Sequence, residues 1–267
     1  MIKKVSLFAI LLFIVSTGQS AAGFDHTHGA FDTLLKKHVV LTDNGHASLV
    51  NYTALMSDKA ALSDYMSLLS KVEKETFDGW DKDKQLAFLI NAYNGFTLEL
   101  ILTRYPNLKS IRDISNPWKK KFIQLLGEKR HLDGIEHGMI RKISVYDEPR
   151  IHVALVCAAV SCPALRNEAY TYDKLDDQLE DSLIHFFAHP ERNQYNASKD
   201  TMRISKIFKW YKVDFESGYS DFTSIKDTLA KYAHIFTDDA KLQERVKTKR
   251  FKIKFLDYNW DLNDYKE

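Results

Sequence analysis

The residues of this chain best suited to chemistry lie in the segment 150–166, which reads RIHVALVCAAVSCPALR. It contains both cysteines of the chain, Cys157 and Cys162, and it places His152 inside an otherwise apolar run. Apolar runs of this kind are typical of buried strands, where a histidine and two thiols need a specific partner. Four roles fit these residues: a thiol nucleophile with its base, a metal site, a disulfide, or core packing.

Strand geometry separates the members of this group. In a strand over residues 150–157, His152 and Cys157 point to opposite faces, because successive side chains alternate. Cys162 lies beyond the predicted strand end, so it is the better partner for His152 and the better candidate for an exposed thiol. Cys157 is predicted to pack in the core. A cysteine nucleophile also needs a base, and either His152 or His137 could serve, with Glu136 or an asparagine orienting the imidazole.

Metal chemistry has less support in the sequence. The spacing of His152, Cys157 and Cys162 is not that of a zinc knuckle, and the chain has no His-Glu-x-x-His motif. We therefore expect no metal and no cofactor. Structural roles for both cysteines, a disulfide included, are favoured over thiol catalysis, since no recognised nucleophile motif surrounds them.

A long helix over residues 83–104 is the strongest structural element predicted. Asp81 or Asp83 is suited to cap its start, and Pro106 follows its end. Apolar residues fall on nearly every side of it, which is typical of a buried central helix. Asn91 and Asn94 are the exceptions. Buried amides need hydrogen-bond partners, and a role in holding neighbouring loop backbone is favoured over direct substrate contact.

The remaining pattern mixes helices with a few non-repeating strands, which indicates an α+β fold. We expect a mainly helical single domain around the buried central helix, with a small, largely antiparallel sheet. The other predicted elements are helices within 31–75, a hairpin over 121–126 and 129–132, a helix over 134–142 that Asp133 caps, a helix over 175–187, a strand over 201–204, helices over 206–215 and 223–236, and a strand over 251–255.

The first 22 residues read as a secretory signal peptide. Lys3 and Lys4 precede an apolar run, and Ser20-Ala21-Ala22 offers small residues for cleavage. The predicted domain is then residues 23–267, a periplasmic protein without stable membrane insertion after cleavage. Cleavage removes two lysines, so the formal net charge of +2 falls to zero. A neutral protein has no bulk attraction for nucleic acid, so no nucleic-acid partner is expected.

Several blocks of the sequence together resemble the family called domain of unknown function 547. The resemblance extends over roughly residues 30–236 and rests on five blocks: QLAFLINAYN at 85–94, SIRD at 110–113, LDGIEH at 132–137, the segment 150–166, and ISKIFKWY at 204–211, which ends near Asp214.

The resemblance implies an exported bacterial member of a family without an agreed reaction. Plant relatives keep the Pro-Ala-Leu-Arg block but often lack the cysteines, which implies that a thiol mechanism is not general to the family. It favours a shared polar cluster instead, made of Asn91, Asn94, Glu136, His152 and Arg166.

These observations predict one polar pocket between the central helix and the 150–157 strand. The catalytic candidates are His152, Glu136, His137 and Cys162, and the substrate-binding candidates are Asn91, Asn94 and Arg166. We expect the pocket to bind a small or peptide-like ligand, with hydrolysis as a candidate activity. Two alternatives stay open: a non-catalytic envelope module that binds a partner protein, and a cysteine-dependent hydrolase or transferase.

Overall fold

The computed structural model describes residues 23–266. The predicted signal peptide, residues 1–22, lies outside the described residues. Within the described part of the chain, none of the helices combines the length and the apolar character needed to cross a bilayer.

Helices of varied length and short strands follow one another along the chain, connected by turns and loops. In chain order they are α1 (Gly29–His38), β1 (Val39–Thr42), β2 (Ala47–Val50), α2 (Tyr52–Ser57), α3 (Lys59–Ser70), α4 (Lys74–Asp78), α5 (Lys82–Leu102), β3 (Ile123–Leu125), β4 (Glu128–Arg130), α6 (Leu132–Ile135), α7 (Leu175–Ala188), β5 (Asn193–Asn196), β6 (Thr201–Ile204), α8 (Ile207–Trp210), α9 (Lys212–Phe215), α10 (Ile225–Lys231), α11 (Ala233–Phe236), α12 (Ala240–Lys247) and β7 (Lys252–Phe255).

The central helix is α5, which the sequence predicted to within two residues at each end. Asp81 caps it, because its Oδ1 accepts a hydrogen bond from the backbone N–H of Lys84 at 3.0 Å. Of the 21 residues in α5, 17 are buried. This accounts for an apolar sequence on every side of the helix, since neighbouring elements cover all of its faces.

The strands of the described residues form three small sheets. The pairs β1–β2, β3–β4 and β5–β6 are antiparallel, and β7 adds to β6 in parallel. Helices dominate the rest, so the fold is the expected mainly helical α+β domain with small, largely antiparallel sheets.

The strand predicted for residues 150–157 is wrong. Pro149–Val153 forms a 3₁₀ helix, and a loop follows in which Ala158 has a positive φ of 57°. Glu148 caps the helix by accepting a hydrogen bond from the backbone N–H of Arg150 at 2.9 Å, and Pro149 supplies a helical φ at the first position. An apolar run buried on all sides has no periodicity that separates a helix from a strand. The alternation argument for His152 and Cys157 therefore does not apply.

The element that carries Glu136 and His137 also differs from the predicted helix over 134–142. Helix α6 begins earlier, and its cap is His131, whose Nδ1 accepts a hydrogen bond from the backbone N–H of Gly134 at 2.8 Å, so Asp133 is not the cap. A π-helical turn, Glu136–Ile140, continues from α6. Single π turns of this kind occur often at functional sites, because they change the direction of side chains.

The C-terminal segment after β7 returns to the loop around the two cysteines. The backbone N–H of Val160 donates to the carbonyl of Asp261 at 2.9 Å, and that of Asn263 donates to the carbonyl of Ala158 at 3.1 Å. This pairing brings Tyr258 and Trp260 next to residues about a hundred positions earlier in the chain.

Candidate functional site

A cleft of about 220 Å³ lies between α5, the π turn, the 3₁₀ helix, α8 and the C-terminal segment. Six aromatic side chains form much of its wall, together with most of the polar residues that the sequence indicated. The aromatic residues are Tyr93, Trp118, Trp210, Tyr211, Tyr258 and Trp260, and the polar or sulfur-containing ones are Asp133, Glu136, His137, His152, Cys157 and Cys162. All four predicted catalytic candidates therefore lie on one cleft.

His152 forms a dyad with a carboxylate that the sequence reading did not select. Its Nε2 donates to Oδ2 of Asp214, in α9, at 2.6 Å. Arg141 holds the same carboxylate in a two-point pair, with Nε 2.6 Å from Oδ2 and Nη2 3.1 Å from Oδ1. Burial by itself raises the pKa of Asp214, but the hydrogen bonds from His152 and Arg141 outweigh it and hold that pKa well below its usual range. Asp214 is therefore a carboxylate that fixes the orientation of the imidazole.

The His152 ring is neutral and rigidly held. Burial lowers its pKa and outweighs the opposing effects of Asp214 and Glu136, and the nearby Arg141 cation acts in the same direction as burial. The ring stacks on Tyr211 with 3.7 Å between ring centroids. With the Nε2 proton donated to Asp214, the Nδ1 lone pair is the remaining acceptor of the ring. Such a ring is suited to accept a proton.

Glu136 and His137 both face the cleft from the π turn. Within a regular α-helix, neighbouring side chains would diverge by about 100°. Nδ1 of His137 is 3.9 Å from Oε1 of Glu136 and accepts a hydrogen bond from Nη1 of Arg141 at 2.5 Å. The hydroxyls of Tyr93 and Tyr211 lie beside the Glu136 carboxylate. Burial first, and then the charge of Glu136 and a hydrogen bond to it, raises the pKa of both hydroxyls, which stay protonated.

The two cysteines are joined as a disulfide, with their Cα atoms 6.3 Å apart. Cys162 is buried and Cys157 is partly exposed, which reverses the predicted order of exposure. The hydroxyl of Tyr258 is 3.2 Å from Sγ of Cys162 and 3.3 Å from Sγ of Cys157. Within residues 23–266, no hydrogen bond joins either sulfur to His152 or His137. The sulfurs form part of the cleft wall and are not placed as a nucleophile beside a base.

Asn91 and Asn94 are turned away from the cleft and bind loop backbone. The Asn91 amide donates to the carbonyl of Tyr170 at 2.7 Å and accepts from its N–H at 3.0 Å. The Asn94 amide donates to the carbonyl of Ala154 at 2.9 Å and accepts from the N–H of Val156 at 3.0 Å. Neither is among the residues that line the cleft. These contacts match the prediction that the two amides hold neighbouring loop backbone. They do not match the prediction that the two side chains bind substrate.

Arg166 is also outside the cleft, contrary to the pocket that the sequence predicted. Its Nη2 is 2.6 Å from Oε1 of Glu168, and its Nη1 is 2.5 Å from Oδ2 of Asp181. These contacts join the loop after the cysteines to α7. They are internal ion pairs, so no part of the guanidinium fork is directed at a ligand in the cleft.

Several residues of the site were missed because nothing in the local sequence distinguishes them. Asp214 lies 62 residues from His152, and Arg141 lies 73 residues from Asp214. Tyr258 and Trp260 follow a strand whose alternation indicates only one buried face. One feature of the sequence could have identified Asp214. It lies near the end of a block that resembles the family, and a carboxylate in such a block is a candidate partner for a buried histidine.

Comparison with known families gives one match. Residues 77–187 match the model of the family described as protein of unknown function, DUF547. The expected resemblance is therefore confirmed, over a shorter range than the predicted 30–236. The matched range contains Glu136, His137, His152 and both cysteines, whereas Asp214 lies outside it.

No curated protein and no solved structure matches the chain. The family description names no reaction, so the geometry of the cleft is the basis for a functional proposal.

Proposed function

We propose that the cleft binds a small, peptide-like ligand and hydrolyses it, with His152 as the general base. The observation that carries the proposal is the 2.6 Å hydrogen bond from His152 Nε2 to Asp214 on the wall of a cleft that also contains Glu136. The cleft is smaller than the range of about 300–1,000 Å³ typical of sites for drug-sized ligands. It therefore suits one residue or one terminal group of a ligand.

Each residue has a specific part in the proposed reaction. His152 removes a proton from a water molecule, and the water oxygen forms a bond to the carbonyl carbon of the ligand. Asp214 stabilises the imidazolium that results. The carbon–nitrogen bond then breaks, and His152 returns the proton to the leaving amine. The hydroxyls of Tyr93 and Tyr211 are the donors available to the carbonyl oxygen, as the raised pKa of each keeps it protonated.

A panel of dipeptides and tripeptide amides, with products followed by mass spectrometry, tests the reaction. Removal of a general base typically costs on the order of 10²–10⁴ in rate, so His152→Gln should lose that much of kcat/KM. His234→Gln is the matched control, since His234 is exposed on α11. Because burial lowers the pKa of His152, the acid limb of the wild-type profile should lie below the ordinary histidine pKa of about 6.5. Full activity in His152→Gln, or no cleavage of any peptide by the wild type, contradicts the proposal.

The non-catalytic alternative makes a different demand on the same residues. A partner-binding module should satisfy its buried polar groups internally and expose an apolar patch. Asn91 and Asn94 meet the first condition, because their amides are hydrogen-bonded internally. The second condition is compatible with two apolar side chains beside Arg141 and Asp214 that are each 79% exposed, Ile143 and Val213. Oε1 of Glu136 does not meet the first condition, since it is buried without a partner.

The proposal also places the activity in the periplasm, after removal of residues 1–22. Its support is the basic, apolar and small-residue order of that segment. N-terminal sequencing of the protein recovered from a periplasmic fraction should begin at Gly23. An intact Met1 in the cytoplasmic fraction contradicts this part of the proposal.

A further inference from the structure

Glu136 is a buried carboxyl group that forms no ion pair with a lysine or arginine among the described residues. It is 6% exposed, it lines the cleft, and its Oε1 accepts no hydrogen bond from the described residues. Nδ1 of His137 lies 3.9 Å from this oxygen, beyond hydrogen-bond distance. The hydroxyls of Tyr93 and Tyr211 lie beside this group but carry no positive charge. A buried carboxylate is unfavourable unless it is paired with a charge and hydrogen-bonded, so a cationic partner would stabilise it.

His137 is not that partner. Nη1 of Arg141 donates a hydrogen bond to His137 Nδ1 at 2.5 Å, so this nitrogen presents a lone pair and holds no proton. This nitrogen therefore has no proton to donate to Glu136. Arg141 itself is engaged by Asp214 through two of its nitrogens. Both groups that could neutralise Glu136 are already used.

The rest of the wall favours a cation. Asp133 adds a second carboxylate, and no lysine or arginine is among the described residues that line the cleft. Six of the lining side chains are aromatic, and the negative face of an aromatic ring attracts a cation. The rings pack closely on one another, with centroids of Tyr258 and Trp260 4.6 Å apart and those of Trp210 and Tyr258 4.9 Å apart. Acidic groups among aromatic rings suit an ammonium group carried on an apolar or peptide body.

We infer that the cleft recognises its ligand by a protonated amino group, the free N-terminus of a peptide-like molecule, which pairs with the carboxylate of Glu136. The ammonium pairs with the Glu136 carboxylate on the cleft wall, and the aromatic rings cover the adjoining side chain. This inference rests on the cleft being the ligand site proposed above. It restricts the ligand class to molecules with an unblocked amine, in which the first carbonyl lies close to the amine that Glu136 holds.

Calorimetric binding of two compounds tests the inference. L-Phenylalaninamide carries a free amine, and N-acetyl-L-phenylalaninamide has the same body with the amine blocked. At about pH 6 the free amine is protonated, because α-amino groups have a pKa near 7.7–8.0. The wild type should bind the free amine about ten- to a hundredfold more tightly, as expected for a hydrogen bond to a charged group.

Glu136→Gln keeps the shape of the side chain and removes its charge, so it should abolish this preference. Glu75→Gln is the control, since Glu75 is exposed on α4, and it should keep the preference. Equal binding of the two compounds by the wild type, tighter binding of the acetylated one, binding of neither, or a preference that survives in Glu136→Gln overturns the inference. The comparison on wild-type protein decides the matter even where Glu136→Gln does not fold.

Binding and turnover separate this inference from the hydrolase proposal. A preference for the free amine together with no cleavage of any peptide contradicts only the hydrolytic step. Cleavage of amino-blocked and free peptides at equal rates, with the loss of rate in His152→Gln preserved, contradicts only the role of Glu136.

Discussion

The side chain of Asn94 offers the sharpest test of how the site is held. It is 1% exposed, and its amide donates to the carbonyl of Ala154 at 2.9 Å and accepts from the N–H of Val156 at 3.0 Å. Both backbone groups follow directly after the 3₁₀ helix that carries His152. Asn94 therefore fixes the loop of the proposed base to the central helix.

Replacing Asn94 with alanine removes both hydrogen bonds at once. The N–H and the carbonyl that remain are buried, and an unsatisfied buried group costs about 1–3 kcal/mol. Two such groups give an expected loss of about 2–6 kcal/mol in the free energy of unfolding, a large part of the roughly 5–15 kcal/mol typical of a whole domain. Ala154 and Val156 are 1% and 2% exposed, so both backbone groups lie away from bulk water.

Equilibrium unfolding in urea, followed by tryptophan fluorescence, measures this loss. Asn107→Ala is the matched control, because Asn107 is exposed and its substitution should change the free energy by less than about 0.5 kcal/mol. We expect Asn94→Ala also to weaken ligand binding at the cleft, since the His152 loop loses its anchor. An Asn94→Ala variant within about 0.5 kcal/mol of the wild type refutes the reasoning.

Two further predictions concern charged groups. Burial raises the pKa of Asp214, but the hydrogen bonds from His152 and Arg141 prevail and lower it. The contribution of Asp214 to stability is therefore complete above the unfolded aspartate pKa of about 3.9, and it is lost as the pH falls below that value. Asp214→Asn should therefore lose less unfolding free energy than the wild type between about pH 5 and pH 3, measured by urea unfolding at each pH; equal acid sensitivity contradicts the assigned pair. Arg166→Ala should cost about 1–2 kcal/mol in the same assay, a modest value because Asp181 is 47% exposed, and should leave phenylalaninamide binding unchanged. A change in that binding would restore Arg166 to the ligand site.

The central helix and its two amides were predictable from sequence. Capping by Asp81 depends on a few neighbouring residues, and the apolar composition of the helix on every side indicates that the helix is buried on all sides. The partners of Asn91 and Asn94 follow from a general requirement that buried amides be hydrogen-bonded, and this requirement predicted loop backbone as the partner. His152 was also identifiable, because a histidine in an apolar run needs a specific contact.

The conformation of residues 150–157 was not predictable, and that error carried into the site. A run that is buried on every side has no periodicity, so the choice between a strand and a 3₁₀ helix depends on Glu148, Pro149 and the packing of α7 and α5 around them. The same packing turned Cys162 inward and joined it to Cys157. The sequence indicated these residue types but not their relative positions.

What the sequence alone determined, then, is the set of polar groups that the core must accommodate. Only the tertiary structure decided which of them meet, since Asp214, Arg141 and Trp260 come from distant parts of the chain and their local sequence does not indicate where they pack. Hydrogen bonding is short in range and depends on direction, so a partner is chosen by the final packing of whole elements. That packing gave His152 a carboxylate, gave Asn91 and Asn94 the loop backbone, and placed Glu136 on the wall of the cleft beside two tyrosine hydroxyls.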